Sequence, residues 1–492
     1  MPQVLTPQTS KHKLVWECSV LLLFCYYMLW PVNFYLAESI YSTYYQAFAP
    51  VLVAAVLYFR RRCRLLEYRL MLAFLFWFLL TRLMNRNYAM LNEYNFFLDL
   101  CMMLPLFLLG TSLSTEERRR FLDWFSALVG GFYFLLGLIC LSAFIRRVLY
   151  INPITEGSLG MISNEGFQRI NILDVNPCST SYWFLMAFYL MVYQFFACRN
   201  KLWRIPILLS ALVDVAVISS TYTRSVKLGI ALSLALLLAA MLGRRIRRRL
   251  VRVPALILCF LAATLLLYEV SDLTAVAMSR LSYSLYPQQV AQPQAAEPAI
   301  AEGEATAARF DARPQLLSSD SHVQALDENT PIWVDKVVDP RKWSGNVDKI
   351  SSNRITVWRS AYEALKIDPT VLWRGKLLKD SMKLSNPFTP HNPPHYHNVP
   401  LQVLMTTGIP GCLLVTALMI CMLCKALRLL FSRDPRIPLS ARALALPILG
   451  VQFYSMLEIG IYTAADVRAL YYYIMSGMLL GFYRDFFPAK TN

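Results

Sequence analysis

Three of the chain's five histidines fall within seven residues, in the stretch Asn386-Pro387-Phe388-Thr389-Pro390-His391-Asn392-Pro393-Pro394-His395-Tyr396-His397-Asn398. Imidazole is the side chain whose unperturbed pKa lies nearest neutral pH, which suits it to take a proton from a hydroxyl. The spacings H-x-H and H-x3-H can also bring His391, His395 and His397 to one metal ion on a turn. The prolines limit helical geometry there, and neither a nearby cysteine nor an H-E-x-x-H pattern accompanies them. A general base therefore stands ahead of a metal, with three polar residues of an interfacial loop as the plain alternative.

A second group is basic. Arg224 sits in Ser219-Ser220-Thr221-Tyr222-Thr223-Arg224-Ser225, between two apolar runs with almost no loop to dissolve it. A long cation at a helix end can snorkel to water. The functional reading is an anion site, because guanidinium groups make bidentate contacts to phosphate, and several around one cavity would suit a diphosphate.

These residues need elements to hold them. The chain of 492 residues is 57% hydrophobic and only 16% charged, with a mean hydropathy of +0.43. Soluble chains carry about 45–50% apolar and about 25% charged residues, so the bilayer is the expected solvent. Apolar runs bounded by charges give twelve expected spanning helices: 14–34, 43–60, 69–86, 95–112, 121–145, 179–198, 205–222, 226–243, 253–271, 410–430, 443–463 and 467–484. The expectation is an all-α, polytopic membrane protein, since no run shows the two-residue alternation of a membrane barrel.

Basic clusters orient it. Lys11 and Lys13, Arg60 to Arg64, Arg118 to Arg120, Arg199 to Arg204, Arg244 to Arg252, Lys425 to Arg436 and Arg484 fall on one side, which places both termini in the cytoplasm. The basic first segment lacks a small-residue cleavage site before Trp30-Pro31 and is kept as an anchor. One large external loop, 271–397, then separates residues 1–270 (helices 1 to 9) from 398–492 (an interfacial helix and helices 10 to 12).

That loop holds 14 Lys/Arg and 14 Asp/Glu, so the whole formal charge of +17 lies elsewhere. The charge is a topology signal, and nucleic-acid binding loses its support. The loop also has no cysteine, hence no disulfide framework. Residues 286–330, rich in Pro, Gln, Ala, Glu and Ser, read as a mobile insertion. Residues 351–366 read as an amphipathic helix, with Ser351-Ser352-Asn353 as cap candidates and Asp368-Pro369 as the stop. Ile355, Trp358, Tyr362 and Leu365 would form its apolar face, packed on the outer ends of the spanning helices. A short helix from Val399 to Thr407 follows the histidines, broken by Gly408-Ile409-Pro410-Gly411. Against the positive-inside pattern, Arg82, Arg86, Arg146, Arg147, Arg169, Arg224, Lys227 and Arg468 all map to the outer side.

In order and topology, these elements resemble the bacterial O-antigen ligase and O-antigen polymerase family. They are Thr221-x-Thr223-Arg224 at an outer helix end, Asn353-Arg354-Ile355-Thr356-Val357-Trp358 opening a loop helix, and His397-Asn398-x-x-Leu401-Gln402-x-Leu404-x-x-x-Gly408-Ile409-Pro410-Gly411. The resemblance runs from about Arg169 to Arg468; the first five helices carry no matching motif.

It implies a glycosyltransferase of the bacterial inner membrane. Such an enzyme moves a glycan from a polyprenyl-diphosphate carrier to an acceptor hydroxyl at the outer face, without cofactor, metal or nucleotide. The acceptor would be a lipid-linked core or a growing glycan; in the related O-oligosaccharyltransferases it is a protein Ser or Thr. Carried over by position, His397, Arg224 and Arg354 resemble the family's catalytic residues. Arg169, in Gln168-Arg169-Ile170-Asn171-Ile172-Leu173-Asp174-Val175-Asn176-Pro177, resembles an arginine before an Asn-Pro turn. Arg169, Asn398, Trp358, His395 and Arg468 are taken as substrate-binding positions, with Glu458 near Arg468 at the outer ends of the last two helices. The arginines would hold the diphosphate and His397 would deprotonate the acceptor. A multi-pass transporter is the reading from another class; it would use charges within helices and repeated halves, and no second copy of the loop motifs is visible.

Overall fold

The computed structural model describes residues 65–85, 104, 106–108, 110, 111, 113–146, 149–151, 158–164, 167–172, 177–246, 249–285, 354–385, 395–458 and 467–488. Of the expected spanning segments, 14–34 and 43–60 lie outside these residues, as does part of 95–112. The insertion 286–330, the cap candidates 351–353, His391, Arg86 and Arg147 also lie outside them. The elements are α1 (Leu66–Met84), α2 (Thr115–Arg146), β1 (Leu149–Ile151), β2 (Ser158–Asn164), β3 (Phe167–Ile172), α3 (Pro177–Ala197), α4 (Arg204–Ser220), α5 (Arg224–Arg245), α6 (Arg249–Leu285), α7 (Arg354–Ile367), α8 (Val371–Arg374), α9 (Leu378–Ser385), α10 (Val399–Phe431), α11 (Leu439–Ala443), α12 (Ala445–Ser455) and α13 (Val467–Phe486).

Four of them, α2, α5, Val251–Ser282 within α6, and α10, are long and apolar enough to cross a membrane by length and composition. In α6 none of the most apolar window is buried, and Leu258, Leu261, Leu265 and Leu266 are exposed. That is costly in water and natural against lipid tails.

The described residues are predominantly helical, as the all-α expectation has it, with one small sheet added to the helices. The strands run antiparallel in the order β1-β2-β3, with β2 and β3 in register from Leu159 opposite Ile172 to Asn164 opposite Phe167. Asn164 pairs with Phe167 with two residues between them in the sequence, the spacing of a short hairpin. Strands this short fall beneath a pattern search tuned to spanning lengths.

The centre of the bundle is α3, whose side chains from Ser181 to Met191 are all buried. A helix apolar on every side belongs in a core. Tyr189 of α3 makes a hydroxyl hydrogen bond with Ser233 at 2.8 Å and donates to the Gly229 carbonyl of α5 at 3.3 Å. Gly229 also faces Gly450 of α12 so closely that a Cβ on it would sit 3.0 Å from the Gly450 carbonyl oxygen. Small residues let these backbones touch.

Helices α5 and α12 run antiparallel. The C-terminal end of α5 meets the segment before α12, where Arg433 donates to the Ile246 carbonyl at 3.2 Å. Gly229 lies five residues inside the start of α5, and Gly450 five residues before the end of α12. Both helices therefore continue about 7.5 Å past this contact to the same end of the bundle. Arg224 and Ser455 mark that end.

Candidate active site

The loop helices make a small core of their own, comprising Val357, Ala361, Ala364, Val371, Met382, Tyr396 and Met405. The buried face of α7 is Val357, Ser360, Ala361 and Ala364, while Ile355 and Tyr362 are exposed. Of the expected apolar face, Leu365 packs on this core and Trp358 is half-buried, whereas Ile355 and Tyr362 are not part of it. Small side chains allow α7 to approach its neighbours, and these two bulky residues turn outward. Trp358 is fixed by its indole, which donates to the Tyr396 carbonyl at 3.0 Å.

Tyr396 anchors the histidine stretch. It is fully buried; its hydroxyl donates to the Ser381 carbonyl at 2.9 Å and lies 2.8 Å from the Ser385 hydroxyl. Its backbone N–H donates to Gln402 Oε1 at 3.1 Å. With the middle residue pinned inward, the rings of His395 and His397 come together at 4.0 Å between centroids.

His397 has a φ of 51°, a left-handed conformation rare for a side chain other than Gly, Asn or Asp, although His adopts it more readily than most. Directly after it, Asn398 caps α10: its side chain accepts from the Leu401 N–H at 2.9 Å and donates to the Met456 carbonyl at 2.8 Å. The expected substrate-binding Asn398 is thus the tie between the start of α10 and the end of α12. Ten residues later Gly408, with φ 71° and ψ −175°, breaks α10. The opened carbonyls are taken up by neighbours: Met405 by the Lys376 N–H at 2.9 Å, Thr406 by Arg82 at 3.2 Å and Thr407 by the Trp77 indole at 2.7 Å. Two of the cations expected on the outer side are thereby accounted for structurally, Arg82 here and Lys227 in its 2.7 Å pair with Asp272.

Glu458 is the hub. Helix α12 ends at Ser455, so Glu458 lies beyond the helix rather than within the span expected over 443–463. It is buried, and its Oε1 is 2.7 Å from His397 Nδ1 and 3.6 Å from His395 Nε2. Its Oε2 accepts from Arg354 Nη2 at 3.1 Å. Arg354 opens α7, where a cation opposes the helix dipole; the carboxylate offsets that. Burial pushes the Glu458 carboxyl up, but the His397 hydrogen bond and the charges of His397, His395 and Arg354 outweigh it and hold the group below the usual carboxylate range.

An ionised Glu458 accepts the Nδ1–H of His397, which leaves the lone pair of the neutral ring on Nε2. His395 is turned the other way, since its Nδ1 accepts from the His397 backbone N–H at 3.2 Å, putting its ring proton on Nε2. Only His397 is set up as a base. His395, His397 and Glu458 also lie within 4.8 Å of one another, close enough to share a metal ion. The Arg354 guanidinium on the same carboxylate opposes a divalent charge, and the 2.7 Å separation is that of a hydrogen bond.

The cluster thus joins His397, His395 and Arg354 through Glu458, with Trp358 and Asn398 supporting the loop. Arg224 begins α5 at the same end of the bundle. Arg169 lies on β3, opposite Ile162, with the strand packed against α2, α3 and α4; its side chain and that of Arg468, the second residue of α13, fall outside the description. By sequence Glu458 is, with Arg468, a weaker candidate for lining the site. The available signal was a carboxylate at an outer helix end in a region otherwise supplied with arginines.

Residues 207–416 match the family model described as O-antigen ligase. No curated protein and no solved structure matches the chain. The match bears out the resemblance seen in the sequence, and with the apolar helices it supports a membrane protein acting in glycan transfer. The matched segment takes in Arg224, Arg354 and His397 and stops short of Glu458.

Proposed function

We propose that this protein transfers a glycan from a polyprenyl-diphosphate carrier to an acceptor hydroxyl at the external face of a bacterial inner membrane. Twelve spanning helices and cytoplasmic termini go with this reading. His397 Nε2 takes the proton of the acceptor hydroxyl as its oxygen attacks the anomeric carbon. The bond from that carbon to the diphosphate breaks, and the diphosphate leaves with the electron pair from the opposite face, so the configuration inverts. Glu458 holds the His397 tautomer and stabilises the imidazolium that forms. Arg224 and Arg169 receive the diphosphate charge. Arg354 keeps Glu458 ionised and edges the same site.

The observation that carries this reading is the 2.7 Å contact between His397 Nδ1 and a buried carboxylate, since it gives one of the clustered imidazoles the orientation a general base needs. The test is transfer from a purified lipid-linked donor by His397→Ala and Arg224→Ala proteins that insert normally. Loss of transfer in both is expected, and wild-type activity in either removes that residue from the mechanism.

A further inference from the structure

At the other end of the bundle, α2, α10 and α13 line an open cavity of about 790 Å³. Lys425 lies 17 residues beyond the break at Gly408, roughly 25 Å along the resumed helix and away from the histidine stretch, close to the thickness of a bilayer's hydrocarbon core. Arg118, Lys425, Arg428 and Arg484 line it.

Their charges are only half matched. Arg118 pairs with Asp485, which also accepts from the Thr115 hydroxyl at 2.7 Å, and Lys425 pairs with Glu67. Arg428 and Arg484 have no carboxylate partner among the described residues. Arg428 donates to the Tyr483 hydroxyl at 2.9 Å and lies 4.7 Å from the Phe487 ring centroid. Arg118 is buried, yet its Nε has no hydrogen-bond partner among the described residues. It is laid across Gly481, where a Cβ would sit 2.6 Å from its Nη1. By sequence alone, Arg60, Arg61, Arg62 and Arg64 precede the lining residue Leu65.

We propose that this cavity binds the phosphate headgroup of an anionic membrane lipid. Two surplus guanidiniums on different helices suit the non-bridging oxygens of a phosphodiester, and a basic pocket between spanning helices on the cytoplasmic side is where anionic headgroups settle. Free phosphate would fill little of the volume, whereas Leu113, Leu480 and Pro488 supply an apolar wall for the glycerol and the first methylenes. The site lies across the membrane from the His397 cluster and takes no part in its chemistry.

Full-length protein is reconstituted in nanodiscs of phosphatidylcholine with a graded fraction of phosphatidylglycerol, and retained lipid is counted by native mass spectrometry alongside Tm. Wild-type protein is expected to retain phosphatidylglycerol and to gain Tm with it. In Arg428→Gln/Arg484→Gln the apparent affinity should be weaker by roughly thirtyfold, from about fivefold per cation. Arg428→Lys/Arg484→Lys should keep most of it, and if the glutamine pair does not accumulate, each single glutamine variant should show its own loss. The control is Arg199→Gln/Lys201→Gln, a basic pair outside the cavity, which should retain lipid as the wild type does. Equal retention in wild-type and glutamine variants, or an equal loss in the control, overturns the proposal. Protection by inorganic phosphate matching that by the lipid overturns the lipid assignment.

Discussion

Replacing Glu458 with glutamine keeps the shape of the side chain and removes the charge that orients the site. In the wild type, Oε1 and Oε2 accept from His397 and Arg354 at once. An amide has one acceptor oxygen for these two donors. If that oxygen faces Arg354, the amide N–H₂ faces His397 and selects the tautomer with its lone pair on Nδ1, so Nε2 carries a proton and cannot act as a base. If the oxygen faces His397, an N–H₂ is pressed against a guanidinium. In both cases the imidazolium formed during transfer loses its counter-charge. Two unit charges about 4 Å apart interact by about 4 kcal/mol at the effective dielectric of a site near the surface. At 1.36 kcal/mol per decade that is up to roughly 10³ in rate.

The assay is single-turnover transfer from a lipid-linked glycan donor under saturating acceptor, so that chemistry is read apart from donor binding. Glu458→Gln should lose about two to three decades in kcat with KM for the donor little changed, while Glu458→Asp, which keeps the charge, should recover part of it. A folded, inserted Glu458→Gln protein with wild-type kcat refutes the tautomer argument, whatever His397→Ala does.

His395→Ala should cost much less activity than His397→Ala, and extensive chelator treatment should leave transfer unchanged; loss of activity restored by a divalent metal would instead assign His395, His397 and Glu458 to an ion. Gly408→Ala places a Cβ 2.5 Å from the Trp373 carbonyl oxygen at φ 71° and should lower stability by roughly 2–4 kcal/mol, read as a drop in Tm or in inserted yield. Asn398→Asp keeps the cap but loses the donor to Met456, and should cost less Tm than Asn398→Ala, which loses both, the cap being worth about 1 kcal/mol. Glu458 is held below its ordinary value, so its stabilising contribution is fully present above the unfolded carboxylate pKa of about 4.3 and fades only as pH falls through the lowered native value. Glu458→Gln should flatten the acid limb of a Tm-against-pH curve, and an unchanged limb would show that the carboxylate is not the group being lost.

Apolar run length made legible the four described helices long and apolar enough to span, and Asp368-Pro369 gave the end of α7. Short-range pattern also found the histidine stretch and its break at Gly408. What stayed hidden depended on contacts far apart in sequence. His397 and Glu458 are 61 residues apart and Arg354 and Glu458 are 104 apart, so the hub could not be read from either neighbourhood. The face of α7 was legible only in part: Leu365 packs on the loop core, but hydrophobicity also favours the exposed Ile355 and Tyr362, while packing against α9 favours the small Ala361 and Ala364. Arg82 looked like a displaced anion-binding cation until the break in α10 supplied a carbonyl that needed a donor. The hairpin at β2 and β3 was missed because its strands are far shorter than a span.

The break at Gly408 acts as a ruler. Nine residues of helix, about 13 Å, separate it from the capping Asn398, and the carbonyls it exposes are all held by Arg82, Trp77 and Lys376. The imidazole of His397 therefore stands at a fixed height above the point where α10 resumes its course through the apolar layer. On the proposed reaction, a donor anchored by its polyprenyl tail presents its scissile bond at a height of its own. The enzyme can then select substrates by depth before it reads any sugar.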